Sequence, residues 1–166
     1  MLNDITLTSK EFILDDEVAT LACGVRLAEA TKTMQEKGLI IYLHGDLGAG
    51  KTTLTRGVLR GLGYMGKVKS PSYTLLESYD INLNNNFNYM FYHYDLYRFT
   101  SEEEWEAAGF REHFNAQSIC MVEWPEKAEH VLPTPDIHIY LSLYELGRKI
   151  KFSASSALGL KCLKQL

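Results

Sequence analysis

A three-layer α/β domain on a mixed sheet is what this 166-residue sequence predicts, and three observations carry the prediction. The apolar run at residues 39–44, LIIYLH, runs straight into a glycine-rich turn and then a helical pattern, a strand–loop–helix unit. Two further stretches, 73–97 and 136–155, alternate in polarity about turn residues and read as hairpins. A third apolar run, SICMV, ends at Glu123 ahead of Pro125, which bars a central strand from continuing. Intermingled strand and helix signals of this kind specify layered α/β packing.

The elements follow in order. A short extended ITLT opens the chain. Asp15 and Asp16 then offer caps to a helix whose apolar positions are Val18, Leu21, Ala22, Val25 and Ala28, with Gly38 closing it. LIIYLH is too short for a helix and apolar throughout, so it reads as a central strand covered on both faces. The next helix runs from about Lys51 to Leu62, with Leu54, Val58, Leu59 and Leu62 on one face and Gly63 as its stop. YMGKVKSPSYT is a loop, interrupted by Gly66 and Pro71. YTLLESYDI and FNYMFYHYDLY flank NLNNN as an antiparallel edge hairpin. Ser101 with Glu104 has the capping-box spacing, and Gly109 ends the short helix that follows. DIHIYLSLYELGRKIKFSAS is a second hairpin, turning at Glu145 to Gly147, with a helix behind it.

Composition narrows the function. Hydrophobic residues make up 46% and charged residues 23%, ordinary globular usage, and the length suits one domain over 1–166. With 17 Lys and Arg against 21 Asp and Glu the net charge is −4, which argues against direct binding to DNA or any phosphate backbone. Cys23, Cys120 and Cys162 lie far apart, suggesting neither a zinc knuckle nor a disulfide framework. No stretch has the length of a membrane span and no leader pattern opens the chain, so a cytoplasmic location without membrane contact is expected.

The chemistry concentrates in residues 44–57, HGDLGAGKTTLTRG. Gly45, Gly50, Lys51 and Thr52 fit G-x-x-x-x-G-K-[ST] after a strand and at the start of a helix, the context a phosphate-binding loop requires. Backbone N–H groups of residues 48–52 can surround phosphates, and the helix N-terminus adds its positive field, so Gly45, Asp46, Leu47, Gly48, Ala49, Gly50, Lys51, Thr52 and Thr53 are the candidate nucleotide-binding residues of the loop. Lys51 would reach the outer phosphates and the Thr52 hydroxyl would ligate Mg²⁺. The alternative is a glycine-rich turn with a capping threonine. The fold prediction therefore sharpens to a P-loop NTPase-like three-layer domain, with a mixed, mostly parallel central sheet and antiparallel edge hairpins.

Such a site needs acidic groups at strand ends. Glu123 suits the metal, because four apolar residues and then an acid is the profile of a buried parallel strand delivering a carboxylate to its C-terminal edge. Asp95 suits the orientation of water, of Lys51 or of the metal shell; for either acid a strand-end salt bridge or cap is the alternative. Ser70, Ser72 and Thr74 lie in a loop of the type that phosphate orders in switch NTPases, or in an ordinary proline turn. His93 reads as a sheet histidine with its hydrogen bonds met rather than as a base. Trp124 either borders the nucleotide or packs a helix on the sheet. Absence of an N-K-x-D guanine signature favours ATP and ADP.

GDLGAGKTT, VKSPSYTL, YHYDLYR and VEWPE, in this order, closely resemble the TsaE family of ATPases over roughly residues 14–145. The resemblance implies a Mg²⁺-dependent P-loop ATPase, weak alone, that associates with the TsaD and TsaB proteins. It serves the threonylcarbamoyl modification of tRNA adenosine next to the anticodon, meeting tRNA only through that assembly. By the same resemblance Lys51, Asp95 and Glu123 are catalytic, Thr52 and Glu123 hold the metal, and residues 70–74 form the switch-like loop. Asp16 and Glu17 join the nucleotide site on this ground alone. A small-molecule or nucleotide kinase shares the P-loop, but the six arginines form no Gly-rich lid. A non-catalytic nucleotide switch is the third reading.

Overall fold

The computed structural model describes residues 8–33, 38–83 and 87–166. Its elements are β1 (Ser9–Leu14), α1 (Glu17–Lys32), β2 (Leu39–His44), α2 (Lys51–Gly61), β3 (Leu76–Leu83), β4 (Phe87–Asp95), α3 (Glu102–Ala107), β5 (Ser118–Glu123), β6 (Ile137–Tyr144), β7 (Gly147–Ala154) and α4 (Ala157–Leu163). All seven strands join one sheet in the order β1-β7-β6-β2-β5-β4-β3. Parallel pairing occupies the middle, where β6, β2, β5 and β4 lie side by side. Antiparallel pairing lies outward, between β6 and β7, β7 and β1, and β4 and β3. The sheet is mixed, with a parallel centre between hairpins, as the sequence predicts.

Side-chain alternation divides the core. Leu39, Ile41 and Leu43 of β2 pack with Ile119 and Met121 of β5 under α1, α2 and α4. Tyr42, Tyr94 and Val122 point the other way, into a smaller cluster around Trp105 and Phe110. Since β5 is buried at all six positions, its sequence shows a continuous apolar run and no alternation. The predicted face of α2 is the buried one: Leu54, Val58 and Leu59 are inaccessible and Leu62 follows as the C-cap. Ser101 caps α3, accepting from Glu104 N at 3.2 Å.

Three expectations change. The first strand among the described residues is Ser9–Leu14, and the ITLT stretch lies mostly outside the described residues. Asp16 alone caps α1, its Oδ1 accepting from Ala19 N at 2.8 Å. The helix ends at Lys32, well before Gly38, whose absent side chain instead accommodates the Asn115 carbonyl. Its buried face is shifted: Ala28 is buried as predicted, but its inward companions are Cys23, Gly24 and Leu27, while Val18 stands 72% exposed and Val25 36%. The turn at 84–86 lies outside the described residues.

The reason for that face is the closeness of α1 to α2. A Cβ on Gly24 would lie 2.5 Å from the Leu54 carbonyl oxygen, and one on Gly57 would collide with that of Leu21. Backbone contact selects small residues, and the valines, placed at helical spacing, are left in solvent. Gly24→Leu should therefore lower stability by about 1–3 kcal/mol through overpacking. Ala22→Leu, on the exposed side of the same helix, should change it by no more than about 0.5 kcal/mol. Urea unfolding midpoints of the two variants check the contrast.

Candidate functional site

The parallel strands β2, β4 and β5 finish together. Leu43 and Asp95 both stand in register with Glu123, so the turn after β2 and both strand-end carboxylates share one edge of the sheet. That is the edge where open α/β sheets bind ligands. The turn is shaped by glycine where it must be: Gly48 and Gly50 have φ of 81° and 104°, and Gly50 is the residue from which α2 starts. Ala49 N donates to Asp46 O at 3.1 Å and Leu54 N to Gly50 O at 2.9 Å. The first N–H groups of α2, from Lys51 to Thr53, have no acceptor within the helix and form the anion-attracting end of its dipole.

Lys51 is 6% exposed, its ammonium donating to the Gly45 carbonyl and lying 4.2 Å from the centre of the Trp124 ring. Burial lowers its pKa, opposed by the negative charges of Glu123, Asp95, Glu126 and Asp46. Asp95 accepts from Tyr97 N at 3.1 Å through Oδ1. Burial raises the pKa of Asp95 and nearby Glu123 adds to the rise, while the Tyr97 N–H, His93 and Lys51 hold it down. Glu123 is 3% exposed, and its Oε2 lies 3.0 Å from His93 Nε2.

A cleft of about 580 Å³ opens over this constellation. Its lining includes Asp16, Glu17, Leu47, Gly48, Ala49, Gly50, Lys51, Thr52, Thr53, Asp95, Glu123 and Trp124. Gly45 and Asp46 instead border a neighbouring hollow of about 470 Å³ beside His44 and Tyr140. There the His44 Nε2 is 2.8 Å from His138 Nδ1, and the pKa of both rings is lowered chiefly by burial. Ser70 and Ser72 line the main cleft, 2.9 Å apart at their hydroxyls. Thr74 turns away towards Glu77 at 3.5 Å.

The sequence reading passed over Arg148 and took His93 for a sheet histidine with its hydrogen bonds met. Arg148, on β7, reaches across the loop, with Nε donating to Ala49 O at 2.9 Å and Nη2 to Gly48 O at 3.1 Å. Nothing in its local sequence marks it; the hairpin beside β2 brings it there. His93 had a signal, a polar residue within the inward row Tyr89, Phe91, His93, Asp95. The expectation of met hydrogen bonds fails for it, because only Nε2 is bonded and Nδ1 has no partner among the described residues.

The oxygen donors present, a threonine hydroxyl at the helix start and buried strand-end carboxylates, match a hard divalent cation. Among the described residues no three His, Cys, Asp or Glu side chains converge to hold a metal alone. Mg²⁺ ordinarily takes one or two carboxylates and completes its shell with water and phosphate oxygens. Among the described residues, no helix is long and apolar enough to cross a membrane.

Known proteins resemble this chain. The family model described as threonylcarbamoyl adenosine biosynthesis protein TsaE matches residues 14–150. A Haemophilus influenzae protein named tRNA threonylcarbamoyladenosine biosynthesis protein TsaE is 47% identical over 147 residues, 88% of this chain and 90% of that protein. A Bacillus subtilis protein of the same name is 38% identical over 129 residues, 77% of each chain. The crystal structure of Bacillus subtilis YdiB aligns with a TM-score of 0.71 and 28% identity, covering 95% of this chain and 93% of that one. With a family model spanning most of its length and relatives this close, the chain belongs to the TsaE family.

Proposed function

We propose that this protein is a Mg²⁺-dependent ATPase, weak alone, that works in the cytoplasm with TsaD and TsaB to form the threonylcarbamoyl group on tRNA adenosine next to the anticodon. ATP hydrolysis on this reading sustains repeated turnover of the assembly and is not the group transfer. The observation that carries it is the buried Lys51 ammonium at the mouth of α2, with Glu123 and Asp95 on adjoining parallel strands under one cleft. The names of the relatives support the pathway. A net charge of −4 supports contact with tRNA through partners rather than directly.

Each residue then has a task. The N–H groups of the loop and of the first turn of α2 bind the phosphate oxygens, and Lys51 follows the charge that develops on the outer phosphate. Thr52 and Glu123 would hold Mg²⁺, which when bound offsets phosphate charge. Asp95, beside Glu123, is placed to orient the attacking water and accept its hydrogen bond. Asp16 and Thr20 at the start of α1, with Arg148 on the same side, wall the cleft.

A kinase would need a mobile arginine over the phosphates. Among the described residues, the arginine that lines the cleft is Arg148, and it is fastened to two loop carbonyls. ATPase chemistry is the better fit.

Hydrolysis of ATP with Mg²⁺, measured with and without TsaB and TsaD, tests the proposal. Lys51→Ala should reduce the rate by about two orders of magnitude, the scale of losing one donor aimed at developing charge. An unchanged rate in both settings would sink it, and phosphorylation of an added nucleoside or small acid in place of hydrolysis would favour the kinase. Arg148→Met keeps the aliphatic stem and removes both carbonyl contacts. It should weaken ADP binding about fivefold by calorimetry, near 1 kcal/mol, because the loop loses a clamp.

A further inference from the structure

His93 is 0% exposed and outside the cleft lining, so it cannot touch a nucleotide; yet among the described residues the one hydrogen bond of its ring goes to a carboxylate that does line the cleft. We infer that His93 is a positioning residue for Glu123, its Nε2–H fixing Oε2 and leaving Oε1 for the ligand that Glu123 serves. The inference rests on the proposed metal role of Glu123.

Three observations carry it. The first is position: His93 precedes Asp95 by two residues on β4, facing the same side, and Asp95 is the register partner of Glu123. The imidazole therefore lies diagonally beneath Glu123 in the neighbouring strand, within reach of its side chain. The second is tautomer. A bare Nε2 would set its lone pair against those of a carboxylate oxygen 3.0 Å away, so Nε2 carries the proton. The third is that Nδ1, fully buried, has no partner among the described residues. A histidine kept only for packing could be replaced by an apolar side chain with no orphaned nitrogen. This one bears that cost and, among the described residues, gains a single hydrogen bond, to Glu123. Partners one step behind a ligand set its orientation, and their loss commonly weakens metal binding tenfold or more.

The test uses the full chain loaded with ADP, with Mn²⁺ as probe and free Mn²⁺ read by electron paramagnetic resonance. His93→Leu should weaken Mn²⁺ binding about tenfold while ADP affinity in EDTA stays within about twofold. His93→Gln, whose amide nitrogen can donate where Nε2 does, should recover most of the loss. Nitrogen-15 NMR of the wild-type imidazole should show Nε2 protonated and Nδ1 bare. Glu123→Gln separates the two claims. If it weakens Mn²⁺ binding and His93→Leu does not, the positioning role is wrong and the metal role of Glu123 stands; if Mn²⁺ binding survives Glu123→Gln, both fall. Equal losses of Mn²⁺ and of ADP in EDTA, or no recovery in His93→Gln, would assign His93 to packing. A proton on Nδ1 would overturn the inference even if His93→Leu failed to fold.

Discussion

A buried ammonium governs the architecture of this site. Lys51 is nearly removed from water, and a charge so placed is tolerated only with a hydrogen-bond acceptor and opposite charge close by. The Gly45 carbonyl supplies the acceptor and the Trp124 ring face a softer contact. Charge comes from Glu123 and Asp95, which parallel pairing forces side by side. Two carboxylates in register repel each other, and beside burial Glu123 pushes the pKa of Asp95 up, while the Tyr97 N–H, His93 and Lys51 oppose that rise. Each group would be unfavourable alone, so loop, cation and acids stabilise one another as a set.

The sheet order converts that local requirement into a cleft. β2 lies between β6 and β5, so the loop after it has the β6–β7 hairpin on one side and the acids of β5 and β4 on the other. The hairpin contributes Arg148, whose two bonds hold the Ala49 and Gly48 carbonyls of the loop. Close contact of α1 with α2 brings the start of α1, with Asp16 and Thr20, to the cleft wall. The first helix thus has a reason to present small residues inward that has nothing to do with its hydrophobicity.

What the sequence made legible follows the range of each interaction. Gly48, Gly50, Lys51 and Thr52 are neighbours in the chain, and a strand before and a helix after them are local signals. Glu123 and Asp95 were legible because a strand that is buried and then suddenly acidic is visible in a dozen residues. Arg148 was not, since it lies 100 residues along the chain from its acceptor Gly48, and only the tertiary order of strands joins them. The face of α1 was misread for a related cause. Periodicity locates apolar residues, but Val18 and Val25 lost to Gly24 because the partner helix approaches to backbone distance. For Asp16 the sequence offered a cap and the structure supplies both the cap and a place on the cleft wall.

Trp124 shows how the end of a strand can be made into part of a site. It has φ of 57°, the left-handed region, and stands before Pro125, which disfavours helical backbone in the residue ahead of it. Such a conformation costs on the order of 1–3 kcal/mol and persists only where its surroundings enforce it. Here the enforcement is visible: the ring packs 5.0 Å from that of Tyr97 and covers the Lys51 ammonium, and Pro125 begins a short 3-10 helix that carries the chain away. Continued as a strand, the next residue would pair along the sheet and leave Lys51 exposed to water on that side. The reversal instead stops β5 at Glu123, keeps its carboxylate at the edge, and closes an apolar wall over the cation. Backbone strain in one residue thereby maintains the desolvation on which the pairing of Lys51 with the two acids depends.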